Sequence, residues 1–137
     1  MICLKGTYVL LIKVEQDVKL NCGKNWQIQK GLYAYIGSAM NSLEKRICRH
    51  LRQQKRYHWH IDYLLKTSTI LSIFIFPGQR NELRFSQEFA KHFDGPEGFG
   101  SSDLPVRTNL YRIDDLNELS ALLTKLYGVS NHPAAEL

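Results

Sequence analysis

A strand-like run, Leu32-Tyr33-Ala34-Tyr35-Ile36, leads through Gly37-Ser38-Ala39 into the basic segment Glu44-Lys45-Arg46-Ile47-Cys48-Arg49-His50. Alternation along a strand places Tyr33 and Tyr35 on one side. The tight Gly-Ser-Ala exit then brings phenol hydroxyls close to guanidinium groups. That grouping suits chemistry on a phosphodiester, where arginine forks match phosphate oxygens.

The basic segment reads as a helix from Leu43 to about Gln54. At ~100° per residue, Leu43, Ile47 and Leu51 form one apolar stripe. Lys45, Arg49, Arg52 and Arg56 fall on the opposite side, a solvent-facing ridge suited to phosphate contacts. Arg46 and His50 fall beside the apolar stripe, towards the expected sheet. A partly buried Arg46 needs an anion, either an internal carboxylate or a phosphate. Between Leu43 and Arg56 stand six bases (Lys45, Arg46, Arg49, Arg52, Lys55, Arg56) against Glu44 alone. The other charges cancel, so this segment carries the whole formal excess of +5. So concentrated a patch points to a polyanion partner rather than to solubility alone.

Glu82 is a second anomaly. It shares a helical face with Phe85, Phe89 and Phe93, and burying a lone carboxylate costs several kcal/mol, on the order of ~3 or more, unless something compensates. A hard cation such as Mg²⁺, with one carboxylate and retained waters, would do so. The helix dipole or a pairing with Arg46 would also serve. In Tyr57-His58-Trp59-His60-Ile61-Asp62-Tyr63, the two histidines and Asp62 share a face only on a strand. A helix starting at His60 separates them, and no cluster has zinc spacing. His58 or His50 is better suited to proton transfer or a hydrogen bond to phosphate. Trp59 and Tyr63 read as core.

The remaining elements position these groups. Thr7–Val14 reads as a strand, residues 15–30 as a hairpin or irregular insertion, and Gly31–Ile36 as a second strand. His60–Lys66 is a short helix. Ile70–Phe76, ended by Pro77-Gly78, reads as a buried central strand. Asn81 is placed to cap a helix running to about Phe93, and Val106–Ile113 returns as an edge strand. Asp114 caps a last helix carrying Leu116, Leu119, Leu123 and Leu126, closed by Gly128. With 137 residues and 44 % hydrophobic content, residues 1–128 are expected to form one domain and 129–137 a frayed tail. No apolar run approaches the ~20 residues of a membrane span, and no signal peptide is evident. Cys3, Cys22 and Cys48 form no CxxC pair and read as free thiols of a reducing, cytoplasmic compartment.

Gly6-Thr7-Tyr8 with Tyr35-Ile36-Gly37, followed by Arg46 and then Glu82, resembles the bipartite motif and helix residues of the GIY-YIG nuclease superfamily. The resemblance runs from Gly6 to about Asn109. It is nearest a small stand-alone branch marked by Gly-Ser-Ala, by His58-Trp59-His60-Ile61-Asp62-Tyr63-Leu64 and by Gly98-Phe99-Gly100-Ser101-Ser102-Asp103. It implies an α/β (α+β) domain, a small mainly antiparallel sheet flanked by helices. It implies a Mg²⁺- or Mn²⁺-dependent DNA endonuclease in repair or recombination, cytoplasmic or nucleoid-associated. In that reading Tyr8, Tyr35, Arg46, His58 and Glu82 are catalytic and Glu82 holds the metal. The basic segment (Lys45, Arg49, His50, Arg52, Lys55, Arg56) binds DNA, and Asn109 weakly matches a late family asparagine. Two departures stand out. Twenty-seven positions separate Tyr8 from Tyr35, which requires an inserted hairpin. Leu104 and Thr108-Asn109-Leu110 replace the branch's usual cysteine and Ser-His-Leu. The basic ridge alone would also suit a nucleic-acid-binding module that does not cleave, although such a module has no use for an acid that repels phosphate.

Overall fold

A computed structural model describes residues 4–78, 80–101 and 104–131. The elements, in chain order, are β1 (Gly6–Val14), β2 (Val18–Asn21), β3 (Asn25–Ile28), β4 (Gly31–Ala39), α1 (Leu43–Leu51), α2 (His60–Leu65), β5 (Ser68–Pro77), α3 (Glu82–Ala90), β6 (Leu110–Ile113) and α4 (Leu116–Asn131). Four strands form an antiparallel sheet in the order β5-β1-β4-β6, while β2 and β3 pair as a separate hairpin. The chain is therefore α+β, a small antiparallel sheet with helices on both faces.

Alternation along the two central strands splits the core. Tyr8, Leu10, Ile12, Tyr33 and Tyr35 face Leu43 and Ile47 of α1 and Ile61 and Leu64 of α2. Val9, Ala34 and Ile36 face Phe85 and Phe89 of α3 and Leu119, Leu122, Leu123 and Leu126 of α4. Because β1 is covered on both faces, its sequence reads as a nearly continuous apolar run.

The insertion between the two tyrosine strands is a hairpin, one of the two forms its composition allows. Leu20, Trp26 and Ile28 bury against the α1/α2 side of the core. The Trp26 indole N–H donates to the Glu97 carbonyl at 2.9 Å, and its ring meets those of His60 and Phe99. The hairpin thus braces the glycine-rich loop that closes one side of the tyrosine face.

Several expectations change. Ile70–Phe76 lies in β5, an edge strand paired only with β1 among the described residues, not a central one. Its run is apolar because both faces are partly covered, yet Leu71 and Ile75 stay 49 % and 38 % exposed. Helix α1 stops at Leu51 instead of about Gln54. Leu51 is consequently 52 % exposed, and His50 completes the inner stripe at 3 %. Asn81 precedes α3 without a side-chain cap, and α3 ends at Ala90. Of Val106–Ile113, the strand is confined to Leu110–Ile113. Asp115, not Asp114, caps α4 by accepting from the backbone N–H groups of Asn117 and Glu118. Gly128 lies within α4, which continues to Asn131. Cys22 and Cys48 are free thiols. Cys3, Ser102, Asp103 and residues 132–137 lie outside the described residues. Among those described, no helix is long and apolar enough to cross a membrane.

Trp26→Ala should destabilise the fold by about 3–5 kcal/mol. Urea unfolding would measure this, and a loss below ~1 kcal/mol would show the hairpin to be dispensable to the core.

Candidate active site

The register between β1 and β4 sets Tyr8 opposite Gly37. The phenol lies across that glycine so closely that a Cβ at position 37 would sit 2.5 Å from the Tyr8 Cζ. Glycine is needed there for space. Tyr35 is held from the opposite side by Gly100, whose φ of +67° favours glycine and whose added Cβ would come within 3.0 Å of the Tyr35 ring. Asn109 fixes this turn. Its amide Nδ2 donates to the Gly100 carbonyl at 2.9 Å, and its backbone links Phe99 to Ile36. These constraints put Tyr8 and Tyr35 on one wall of a cleft of about 370 Å³. Tyr33 shares their face but turns away, donating to the Gln29 carbonyl.

Ser42 caps α1 through the Lys45 N–H, and the helix delivers two arginines to different fates. Arg46 reaches the cleft. Its Nη1 donates to the Ser38 carbonyl at 2.9 Å, and its guanidinium lies 4.4 Å from the centre of the Trp59 ring. Arg49 instead turns inward. Nη1 and Nη2 each meet an oxygen of Asp62 at 2.8 Å, and Nη2 also donates to the Arg56 carbonyl. Its guanidinium stands 4.3 Å from the same indole.

The expected ridge is therefore divided. Lys45, Arg52 and Arg56 are exposed. Arg49 is committed to Asp62, and the Lys55 ammonium donates to the carbonyls of Arg49 and His50 at the end of α1. Asp62 is engaged within the protein on both oxygens. The backbone N–H groups of His58 and Trp59 join Arg49 in satisfying it. Burial alone would raise its pKa, but the Arg49 fork and these two N–H groups reverse that and bring it down to about 2.

His50 does not face solvent and cannot join a phosphate-binding ridge. Its Nε2 lies 2.6 Å from the Tyr8 hydroxyl, whereas its Nδ1 is buried with no partner among the described residues. Burial lowers its pKa to about 4; Asp62 opposes the shift, and Lys55, Arg46 and Arg49 reinforce it. The imidazole is thus neutral near pH 7 and can accept a proton. Burial pushes the Tyr8 phenol up, and the lowering effect of Arg46 does not offset it. Tyr35 is also raised by burial, with further upward contributions from Tyr8, Glu82 and Asp62. Neither tyrosine is a free phenolate at neutral pH.

Glu82 opens α3 on the far wall, with Phe85 and Phe89 buried behind it. Ser38 Oγ donates to its Oε1 at 2.7 Å, and Arg80 Nε and Nη2 meet the same oxygen at 2.7 Å. Its partner is therefore Arg80, not Arg46. Among the described residues lining the cleft, Glu82 is the one carboxylate. No group of three or more His, Cys, Asp or Glu side chains converges on a metal position among the described residues. One carboxylate beside a hydroxyl, open to water, fits a hard cation that retains most of its hydration and does not fit zinc. His58 lines the cleft rim and is exposed, with its ring 5.1 Å from that of Trp59.

Tyr8, Tyr35, Arg46, His58 and Glu82 thus share one cleft; His50, Arg49 and Lys55 lie behind it. Three residues with a part in the cleft escaped the sequence reading: Ser38, Trp59 and Arg80. The only signals were Ser38 in the strand exit and a basic residue two positions before an oddly apolar-faced glutamate.

An α+β domain with a tyrosine-arginine-glutamate cleft is what fold and site define. The chain belongs to the family described as "Domain of unknown function DUF123", whose model matches residues 7–131. No curated protein and no solved structure matches it.

Arg49→Ala should cost about 3–5 kcal/mol, because it strands the buried Asp62 charge. The pH dependence has a definite sign. His50 is lowered from 6.5 to about 4, so the unfolded state takes up more protons between those values. Stability is complete above 6.5 and declines as pH falls towards 4. Asp62 adds stability that is present above 3.8 and lost as pH falls towards about 2. Thermal melts from pH 7 to pH 4 should fall less steeply for His50→Gln than for the wild type; equal slopes would remove His50 as the source.

Proposed function

We propose that this chain is a divalent-metal-dependent DNA endonuclease that hydrolyses phosphodiester bonds, with a role in DNA repair or recombination. The observation that carries this reading is the convergence on one cleft of Tyr8, backed by its hydrogen-bonded His50, with Arg46, which has no carboxylate partner among the described residues, and Glu82, the one acid among the described residues of the lining. Glu82 would hold Mg²⁺ or Mn²⁺, which supplies neutralisation of the scissile phosphate and of the leaving oxygen.

The side chains do the rest. Tyr8 orients the attacking water. As it takes the water's proton onto its oxygen, its own hydroxyl proton passes to Nε2 of His50, which is available in the tautomer protonated on Nδ1. The relay avoids a free phenolate, which burial of Tyr8 disfavours. Arg46 is held by the Ser38 carbonyl and Trp59 with guanidinium donors left for the phosphoryl oxygens, where charge builds in the transition state. Tyr35 adds a second hydroxyl to the same wall. Lys45, Arg52 and Arg56 remain exposed for the flanking phosphates. A non-cleaving nucleic-acid-binding module is the alternative, favoured by the Arg80 ion pair that occupies Glu82.

Single-turnover cleavage of branched and linear DNAs with Mg²⁺, Mn²⁺ or EDTA separates the two. Arg46→Ala should lower the rate by two to three orders of magnitude, about 3–4 kcal/mol. Arg46→Lys should be nearly as slow, since an ammonium lacks the planar fork. Binding should fall far less than the rate; equal losses would make Arg46 a phosphate anchor, and wild type inactive on every DNA would favour the binding module. Replacing Lys45, Arg52 and Arg56 with Gln should flatten the salt dependence of binding by roughly 0.9 counterion for each lost contact. An unchanged slope would take these residues off the DNA path.

A further inference from the structure

We propose that Arg80 is a built-in counter-ion that occupies Oε1 of Glu82 and competes with a divalent cation for that carboxylate. The inference rests on the nuclease reading above and adds a control on its metal seat.

Arg80 approaches Glu82 with two nitrogens, Nε and Nη2, both 2.7 Å from Oε1. Ser38 Oγ reaches the same oxygen at 2.7 Å, so three donors saturate it. On Oε1 a cation would compete with the guanidinium for the same lone pairs, and on Oε2 it would sit beside the guanidinium charge, which repels it. Burial makes the pair useful. The Glu82 side chain is 11 % exposed, and without a nearby cation its charge would be poorly compensated. Arg80 is a cheap partner to displace, since its side chain is 51 % exposed and regains water as it leaves. Arg46 cannot take over, because it is anchored to the Ser38 carbonyl and Trp59.

The arrangement has a directional consequence. A metal entering alone competes with a paired guanidinium, so its apparent affinity falls in proportion as fewer molecules have Arg80 turned out. A bound phosphodiester gives the displaced guanidinium a second anion, since Arg80 lines the same cleft. Substrate and metal therefore bind cooperatively through one side chain.

The test is equilibrium binding of Mn²⁺ alone, followed by the electron paramagnetic resonance of the free aquo ion, without DNA or turnover. Wild type, Arg80→Gln, Arg80→Lys and Glu82→Gln are compared, with circular-dichroism melts to establish that each is folded. Arg80→Gln should bind Mn²⁺ about three- to ten-fold tighter than wild type. Arg80→Lys, which keeps the charge but not the fork, should fall between them, and Glu82→Gln should lose the site. Equal or weaker binding by a folded Arg80→Gln, with the Glu82 dependence intact, overturns the counter-ion proposal and leaves the metal reading standing. Absence of Mn²⁺ binding in both wild type and Arg80→Gln, or binding that survives Glu82→Gln, overturns both.

Discussion

A carboxylate buried away from the protein surface dictates much of this architecture. Asp62 is wholly enclosed and collects both terminal nitrogens of Arg49 and the backbone N–H groups of His58 and Trp59. Those four donors tie the last turn of α1 to the first turn of α2 across an irregular crossing. They also fix Trp59, whose ring lies against Arg46 and Arg49. The orientation of Arg46 thus depends on an ion pair to which it does not belong. Breaking that pair would leave a full charge in a low-dielectric interior, which makes the crossing rigid.

The second constraint is steric. Tyr8 reaches His50 only because it can lie across Gly37, and Tyr35 holds its place because Gly100 fits against its ring. Each phenol is thereby enclosed, and enclosure raises both pKa values. The same packing that aligns the hydroxyls suppresses their ionisation and leaves the imidazole behind Tyr8 as the neutral group next to them. Asn109 acts in this layer as well. It ties the Gly98–Gly100 turn to β4 and contributes no exposed polar atom to the cleft.

The strand, turn and helix bearing Tyr35 and Arg46 were legible because their periodicities are local and strong, and the aromatic stripe beside Glu82 was legible for the same reason. What failed to show depends on neighbours distant in sequence. Periodicity reports which faces of a strand are covered but not whether both of its edges are paired, so β5 read as central. A helical wheel gave Arg49 an outward direction but could not reveal that Asp62, thirteen residues away, would draw it in. Early termination of α1 exposed Leu51 and left His50 to complete the inner stripe. The Arg80–Glu82 pair left almost no trace, because two residues at a helix entrance carry no periodic signal. The family match spans most of the chain but describes no activity, so the nuclease reading stands on the cleft and on the motif resemblance.

Arg46 and Arg49, three residues apart on one helix, show what separates a charge left open from one that is compensated. Both lie against Trp59, and both are partly buried. Arg49 meets a full negative charge through two short bonds, which stabilises the fold and leaves its own charge compensated. Arg46 meets a neutral carbonyl and the face of an indole, which orient it without cancelling its charge. A cation–π contact of this kind contributes about 0.5–2 kcal/mol, enough to select a rotamer but far less than a buried ion pair. Across the cleft the opposite arrangement holds, since Glu82 is compensated by a half-exposed arginine. Among the described residues, the cleft therefore carries a positive charge with no carboxylate partner on one wall and a negative charge paired with Arg80 on the other. Under the proposed function, a phosphate would meet the first and a cation accompanying it would need the second unmasked, so the electrostatics would favour their arrival together over either one alone.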